Sequence, residues 1–174
     1  MKSKYSTLFV LGTLFLCAKI FYKYANISQL LWLVKPVAIW ISLLTNAEMY
    51  WDDSSGYVFP SHGICIEKSC SGYNMLLICF SMLSYLILQF RKNISKLFAW
   101  ILACILTYVV CIISNSVRII LSILFSTKLP SLWIPYREMV HQGIGVFTNI
   151  LFLIITFLFF QYLFKTTTAH EKSA

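Results

Sequence analysis

Long apolar runs separated by shorter polar segments account for most of this chain. Five runs stand out, at about 5–20, 27–45, 73–90, 97–125 and 144–164. A helix needs roughly 20 apolar residues to cross a bilayer, and the runs lack the short alternating pattern of barrel strands. The pattern predicts an all-α polytopic membrane protein, with a bundle of about five to seven transmembrane helices in a single domain over residues 1–174.

The composition supports this class. Hydrophobic residues make up 59% of the chain and charged residues 11%, against about 25% charged in typical soluble domains. The net charge of +8 would ordinarily suggest an acidic partner such as nucleic acid. Here, however, basic residues lie at the ends of apolar runs, where they set membrane topology. We therefore expect no nucleic-acid partner. The residues concerned are Arg91, Lys92, Lys96, Lys165 and Lys172.

Charge is also distributed unevenly between the two polar loops. The loop at 46–72 carries four of the six acidic residues, whereas the loop at 91–96 is short and strongly basic. The positive-inside rule places the basic loop in the cytoplasm and the acidic loop outside. The first run has Lys2 and Lys4 before it but no small-residue cleavage site after it, so we expect a helix there. Because Lys19 and Lys23 follow that run, the side of the N-terminus stays open.

Three chemically distinctive residues are predicted at one depth, on three different helices. Cys70, Arg118 and His141 each lie 21 to 24 residues from the basic end of their own helix. At about 1.5 Å per residue, this separation is roughly 30–36 Å, about the thickness of the hydrocarbon core. The three side chains are therefore expected to meet at the extracytoplasmic interface.

The three residue types suit covalent acyl transfer. Cys70 is expected at a helix N-terminus, where the helix dipole favours an anionic nucleophile. His141 is expected at another N-terminus, which disfavours the imidazolium and leaves the ring available as a base. Arg118, with Asn115 on the same helical face, can stabilise a thiolate or an oxyanion. A cysteine, a base and an oxyanion donor are the elements of thioester chemistry.

Other interpretations of these residues stay open. Arg118 can be an interfacial anchor or an anion-binding residue of a small transporter or assembly factor. Cys65 and Cys70 can form an external disulfide in a thiol-disulfide protein. Together with His62 they can be metal ligands, although their spacing fits no standard site. The remaining cysteines are expected to be packing residues; they are Cys17, Cys79, Cys104 and Cys111.

Three short motifs in this order resemble the exosortase/archaeosortase family. Cys70-Ser71-Gly72 opens one helix, "NSVRI" lies on the next, and "HQGIGVF" opens another. The resemblance covers residues 64–147. It implies that Cys70 is the nucleophile and that Arg118 and His141 complete the catalytic set. It also implies supporting roles for the remaining motif residues, namely Ser71, Gly72, Asn115 as the partner of Arg118, and Gly145.

The resemblance implies a membrane cysteine protease/transpeptidase. Such an enzyme would cleave exported proteins at a C-terminal signal made of a short motif, a transmembrane helix and a basic tail. A Cys70 thioester would form, and an acceptor, such as a lipid amine or water, would release the product. The enzyme would need no cofactor or metal. It would reside in the cytoplasmic membrane among membrane lipids, with its active site at the extracytoplasmic face.

Overall fold

The computed structural model describes the backbone of residues 2–90, 95–128 and 136–173. Within these ranges the protein is predominantly helical, with a small β-sheet between its second and third helices. The elements are α1 (Lys2–Tyr24), α2 (Leu31–Thr45), β1 (Tyr50–Asp52), β2 (Gly56–Phe59), β3 (Ile64–Ile66), α3 (Tyr73–Phe90), α4 (Lys96–Lys128) and α5 (Arg137–Ser173).

All five apolar runs lie in helices. The run at 73–90 has the same bounds as α3, whereas α4 and α5 extend beyond the runs that predicted them. Helix α5 begins at Arg137 rather than near 144, because the polar residues of its first turns are helical as well. His141 therefore lies in the first two turns of α5.

Four helical segments in the described ranges are long and apolar enough to cross a membrane. This is the character expected of a membrane protein. The four segments do not confirm the predicted count of five to seven. They are Ile27–Thr45, Lys68–Phe90, Leu97–Phe125 and Met139–Thr166.

The acidic loop at 46–72 contains a folded element that the sequence analysis did not predict. Three short strands form an antiparallel sheet in the order β1-β2-β3, with Trp51 opposite Tyr57 and Tyr57 opposite Ile66. A tight turn at residues 53–55 joins β1 to β2. Gly56, at φ +102°, is required there, because a Cβ at this position would overlap the carbonyl oxygen of Ile66. The sheet leads the chain directly to Cys70.

Two hydrophobic clusters hold the described helices together. The first joins α2 and the sheet to the Cys70 end of α3 and to α4; it includes Val37, Phe59 and Ile119. The second lies towards the opposite end of α3 and includes Leu83 and Ala103. Helix α4 contacts α2, α3 and α5, and both clusters contain residues of α4. Cys70 belongs to the first cluster.

Candidate active site

Cys70 lies in a short 3-10 turn, Lys68–Cys70, that comes just before α3. The backbone N–H of Cys70 donates to the carbonyl of Glu67 at 2.9 Å, and that of Ser71 donates to Lys68 at 3.1 Å. Ser71 is fully buried, and its Oγ accepts the N–H of Tyr73 at 3.4 Å. A serine at this position satisfies one of the free donors at the start of α3. The turn thus holds Cys70 just above the helix N-terminus.

Gly72 allows this turn to pack directly against α4. Its φ is +78°, and a Cβ there would lie 3.2 Å from both the Asn115 side chain and the Cys111 Sγ. The Cys111 thiol donates to the Gly72 carbonyl at 3.3 Å. Both the backbone conformation and the close approach require glycine. The Ser71-Gly72 pair is therefore explained by the geometry of the turn.

Arg118 brings a buried guanidinium to the Cys70 thiol. Its Nη2 donates to Cys70 Sγ at 3.2 Å, and the residue is only 8% exposed. A Cβ on Gly145 of α5 would lie 3.1 Å from Arg118 Nε. Glycine at this position therefore lets α5 pack closely over the guanidinium. Arg118 Nε is buried and has no hydrogen-bond partner among the described residues.

Asn115, expected from the motif to be the partner of Arg118, contacts the backbone of Cys70. Its Nδ2 donates to the Cys70 carbonyl oxygen at 2.7 Å, and the residue is 2% exposed. Asn115 and Arg118 are three residues apart, so they lie on one face of α4 and both point at the Cys70 turn. Asn115 therefore holds the backbone of Cys70, while Arg118 contacts its side chain.

His141 approaches the same sulfur from α5. Its Nε2 lies 3.5 Å from Cys70 Sγ, within reach of a hydrogen bond to sulfur. The structure thus brings Cys70, Arg118 and His141 together, although they come from three separate elements. The arrangement places a nucleophile between a permanent cation and a group that can accept its proton. Their catalytic roles remain a prediction.

Two residues at this site were missed by sequence reasoning. Cys111 is buried in the first cluster, as expected of a packing residue, and its thiol also supports Gly72. It lies four residues before Asn115, and that spacing on one helical face was the available signal. Lys68 was not singled out. Its carbonyl accepts a 3.0 Å hydrogen bond from the Tyr22 hydroxyl, which ties α1 to the Cys70 turn.

Cys65 and His62, the other candidates in this region, have no described role at the sulfur of Cys70. All six cysteines are free thiols, and Cys65 Sγ donates to the Ser55 carbonyl at 3.1 Å. Burial raises the pKa of the Cys65 thiol, and electrostatic interactions, of which that with Glu67 is the largest, raise it further. Within the described ranges, no group of three or more histidine, cysteine or acidic residues could hold a metal ion.

Comparisons of this chain with protein-family models, with characterised proteins and with solved structures found no match.

Proposed function

We propose that this protein is a membrane-embedded cysteine protease/transpeptidase of the exosortase type. One observation carries the proposal: Cys70 Sγ lies 3.2 Å from Arg118 Nη2 and 3.5 Å from His141 Nε2. A thiol that only fills space in a helical bundle needs neither a buried cation nor a base. The three groups are close enough to act on one carbonyl.

The reaction follows from these positions. His141 Nε2 accepts the Cys70 proton as the sulfur attacks the carbonyl carbon of a substrate peptide bond, which gives a tetrahedral oxyanion. When the C–N bond breaks, the leaving amine takes the proton from His141 and the acyl group stays on Cys70 as a thioester. An acceptor amine then attacks the thioester and gives a proton to His141; as the C–S bond breaks, His141 passes that proton to the Cys70 sulfur, which regenerates the thiol. Water in place of the amine gives hydrolysis.

Arg118 stabilises negative charge throughout these steps. In the resting site it donates to the sulfur, where a thiolate would develop. Its buried Nε has no described partner and lies beside Gly145, where a side chain would crowd it. A buried donor without a partner is costly, so a transient oxyanion is a favourable acceptor for it. Arg118 is thus the oxyanion donor of the proposed mechanism.

The proposed site lies at the extracytoplasmic face of the cytoplasmic membrane. Residues near the end of α1 contact the start of α3, since Tyr22 bonds the Lys68 carbonyl and Tyr73 bonds that of Ala18. The opposite end of α3 leads into the basic segment at 91–96, which the positive-inside rule keeps in the cytoplasm. The thioester would therefore form where exported proteins emerge from the bilayer.

The proposed substrates are exported proteins with a C-terminal motif, a transmembrane helix and a basic tail. Such a helix can lie beside the bundle, with its motif at the level of Cys70 and its tail in the cytoplasm. The acceptor would be an amine at the same interface, such as a lipid amine, or water. Both expectations rest on the family resemblance and on the depth of Cys70.

The test is maturation of a co-expressed protein that bears such a C-terminal signal, followed as a mobility shift. We expect Cys70→Ala to abolish the shift and Cys65→Ala to retain it. Continued maturation in Cys70→Ala would show that the nucleophile is misassigned and would favour an anion-binding transporter or assembly role for Arg118. Loss in both variants would instead indicate a thiol-disulfide protein.

A further inference from the structure

A second feature of the molecule is an apolar cavity of about 530 Å³ in the helical bundle. Its walls come from α1, α3 and α4, with Trp32 contributed by α2. Leu14, Ile105 and Val109 are each about half exposed, so the cavity opens sideways at the α1 and α4 walls. Its other lining residues include Leu11, Phe15, Ala18, Leu77, Phe80 and Tyr108.

Two lysines lie outside the cavity lining, beyond Ala18 on the side of the Cys70 turn. Lys19 follows the lining residue Ala18, and its Nζ donates to Asn74 Oδ1 at 2.6 Å. Lys68 Nζ donates to the Lys23 carbonyl at 3.1 Å and lies 5.1 Å from the centre of the Tyr22 ring. Each ammonium has three donors, so each keeps two for a ligand.

The charge on this side of the cavity is not compensated within the described chain. No described carboxylate pairs with Lys19, Lys23 or Lys68, although Glu67 lies next to Lys68 in sequence. The three lysines are also at the proposed extracytoplasmic end of α1 and α3, where the positive-inside rule disfavours basic residues. Clustered ammonium groups repel one another and attract an anion. This side of the cavity is therefore complementary to a negatively charged group.

The apolar lining of the cavity and its lateral opening suit a lipid chain. On α1 the lining runs from Leu11 to Ala18, or about 10 Å, which suits an extended hydrocarbon chain. We propose that the cavity binds an anionic glycerophospholipid. One acyl chain lies against Phe15 and Leu77, and the phosphate is held by Lys19 and Lys68.

Such a lipid would act on the geometry of the cysteine. Lys68 is the first residue of the turn that ends at Cys70, and its carbonyl accepts the Tyr22 hydroxyl. The Tyr22 ring stacks on Tyr73 at 4.9 Å, at the first residue of α3. A phosphate bound by Lys19 and Lys68 links α1 to this turn and holds it in place. The lipid is thus a bound positioning component, and its binding does not depend on the reaction proposed above.

The experiment uses the full chain in bilayer discs of phosphatidylcholine. A small fraction of the lipid is replaced either by phosphatidylglycerol with brominated chains or by equally brominated phosphatidylcholine. Bromine quenches the fluorescence of nearby tryptophans, and Trp32 lines the cavity. The fluorescence that is lost in Trp32→Phe gives the part of the total emission that comes from Trp32. We expect brominated phosphatidylglycerol to quench this part at a much lower mole fraction than brominated phosphatidylcholine does.

Variants test separately whether the lysines bind the lipid headgroup and whether the cavity binds the acyl chain. A lysine near an anionic headgroup is worth roughly a factor of five in binding, so Lys19→Gln with Lys68→Gln should weaken the preference about 25-fold. Ala18→Phe fills the cavity and should reduce quenching with both lysines intact. Lys165→Gln, at the other end of the bundle, removes one charge as a control and should change nothing.

Three results would overturn the proposal. One is equal quenching by the two brominated lipids, and another is a preference that the lysine double variant retains. The third is competition by free glycerol phosphate as effective as by intact lipid, since it would identify a phosphate site that does not use the cavity. Circular dichroism of each variant confirms that it is folded.

Discussion

The side-chain amide of Asn115 donates a 2.7 Å hydrogen bond to the backbone carbonyl of Cys70. Helix α4 therefore contacts Cys70 twice, at its backbone through Asn115 and at its sulfur through Arg118. Cys70 is the buried residue of its turn, and Asn115 is itself buried. A carbonyl that loses its partner in such a place costs roughly 1–3 kcal/mol. The Asn115 amide is therefore one of the groups that fix the turn and the position of the sulfur.

We expect Asn115→Ala to lower the maturation rate by about 10–100-fold, because a sulfur displaced by even 1 Å loses its alignment with His141. Since Cys70 itself is retained, the loss should be in the catalytic rate and not in substrate capture. A titration of substrate expression separates the two. Ser114→Ala is the matched control: its buried Oγ has no partner among the described residues, so the change should leave maturation near the wild-type rate. Equal losses in both variants would point to general damage to α4.

Arg118→Lys tests whether the planar fork of the guanidinium is needed. A lysine keeps the charge but provides a single ammonium in place of the Nη2 and Nε donors. We expect the maturation rate to fall by about 100-fold or more, because removal of one oxyanion donor typically causes a loss of this size. Trapping of the thioester on Cys70 with hydroxylamine measures the same step directly. Normal maturation in Arg118→Lys would reduce Arg118 to a charged membrane anchor.

The common depth of Cys70, Arg118 and His141 follows from the sequence through helix rise and charge. Basic residues mark one end of each helix, and 21 to 24 helical residues lead from there to each group. This estimate needs no knowledge of side-chain partners. It gives depth along a helix and not direction around it, so it cannot reveal that Asn115 turns towards the Cys70 carbonyl.

Neither the β-sheet nor the contact of Cys111 with Gly72 could be predicted from the hydrophobic pattern, and the reasons differ. Strands β1 and β3 have three residues each, too few for an alternating pattern to stand out. Cys111 looks like a packing residue in an apolar run, and only contact with Gly72 gives it a further role. The sheet and this contact both depend on how separate segments of the chain pack together, and the hydrophobic pattern carries no information on that.

Gly145 and Gly143 form a test with an internal control. A Cβ on Gly145 would lie 3.1 Å from Arg118 Nε, whereas one on Gly143 would meet nothing within 4 Å. Gly145→Ala should displace the guanidinium and lower maturation by about 10-fold or more, since oxyanion donors act through position. Gly143→Ala should keep full activity and stabilise α5 by up to about 1 kcal/mol, the difference in helix propensity. Equal activity of the two variants would show that the close packing of Gly145 on Arg118 is not needed for the function of Arg118.

Gly72→Ala is expected to be more damaging than Gly145→Ala. At φ +78° a Cβ adds roughly 1–2 kcal/mol of backbone strain, and it would also press on Asn115 and Cys111 from 3.2 Å. Both effects displace the turn that carries Cys70. We expect maturation to be lost and Cys70 to become more accessible to a membrane-impermeant maleimide. Unchanged labelling and activity would show that the turn tolerates a side chain.

Cys65 provides a pH test of the electrostatics around the site. Burial, and then the charges of Glu67 and Asp52, raise the pKa of its thiol, so at any pH near neutrality a smaller fraction is thiolate than for an ordinary cysteine. Maleimide labelling of Cys65 in a Cys70→Ala chain should therefore be slow at neutral pH and rise only at more alkaline pH than for a peptide cysteine. Glu67→Gln removes one negative charge, so the labelling curve should move to lower pH, while Glu48→Gln should leave it in place because Glu48 does not contribute to the shift. A curve that Glu67→Gln leaves unmoved would show that Glu67 does not contribute to the raised pKa of Cys65.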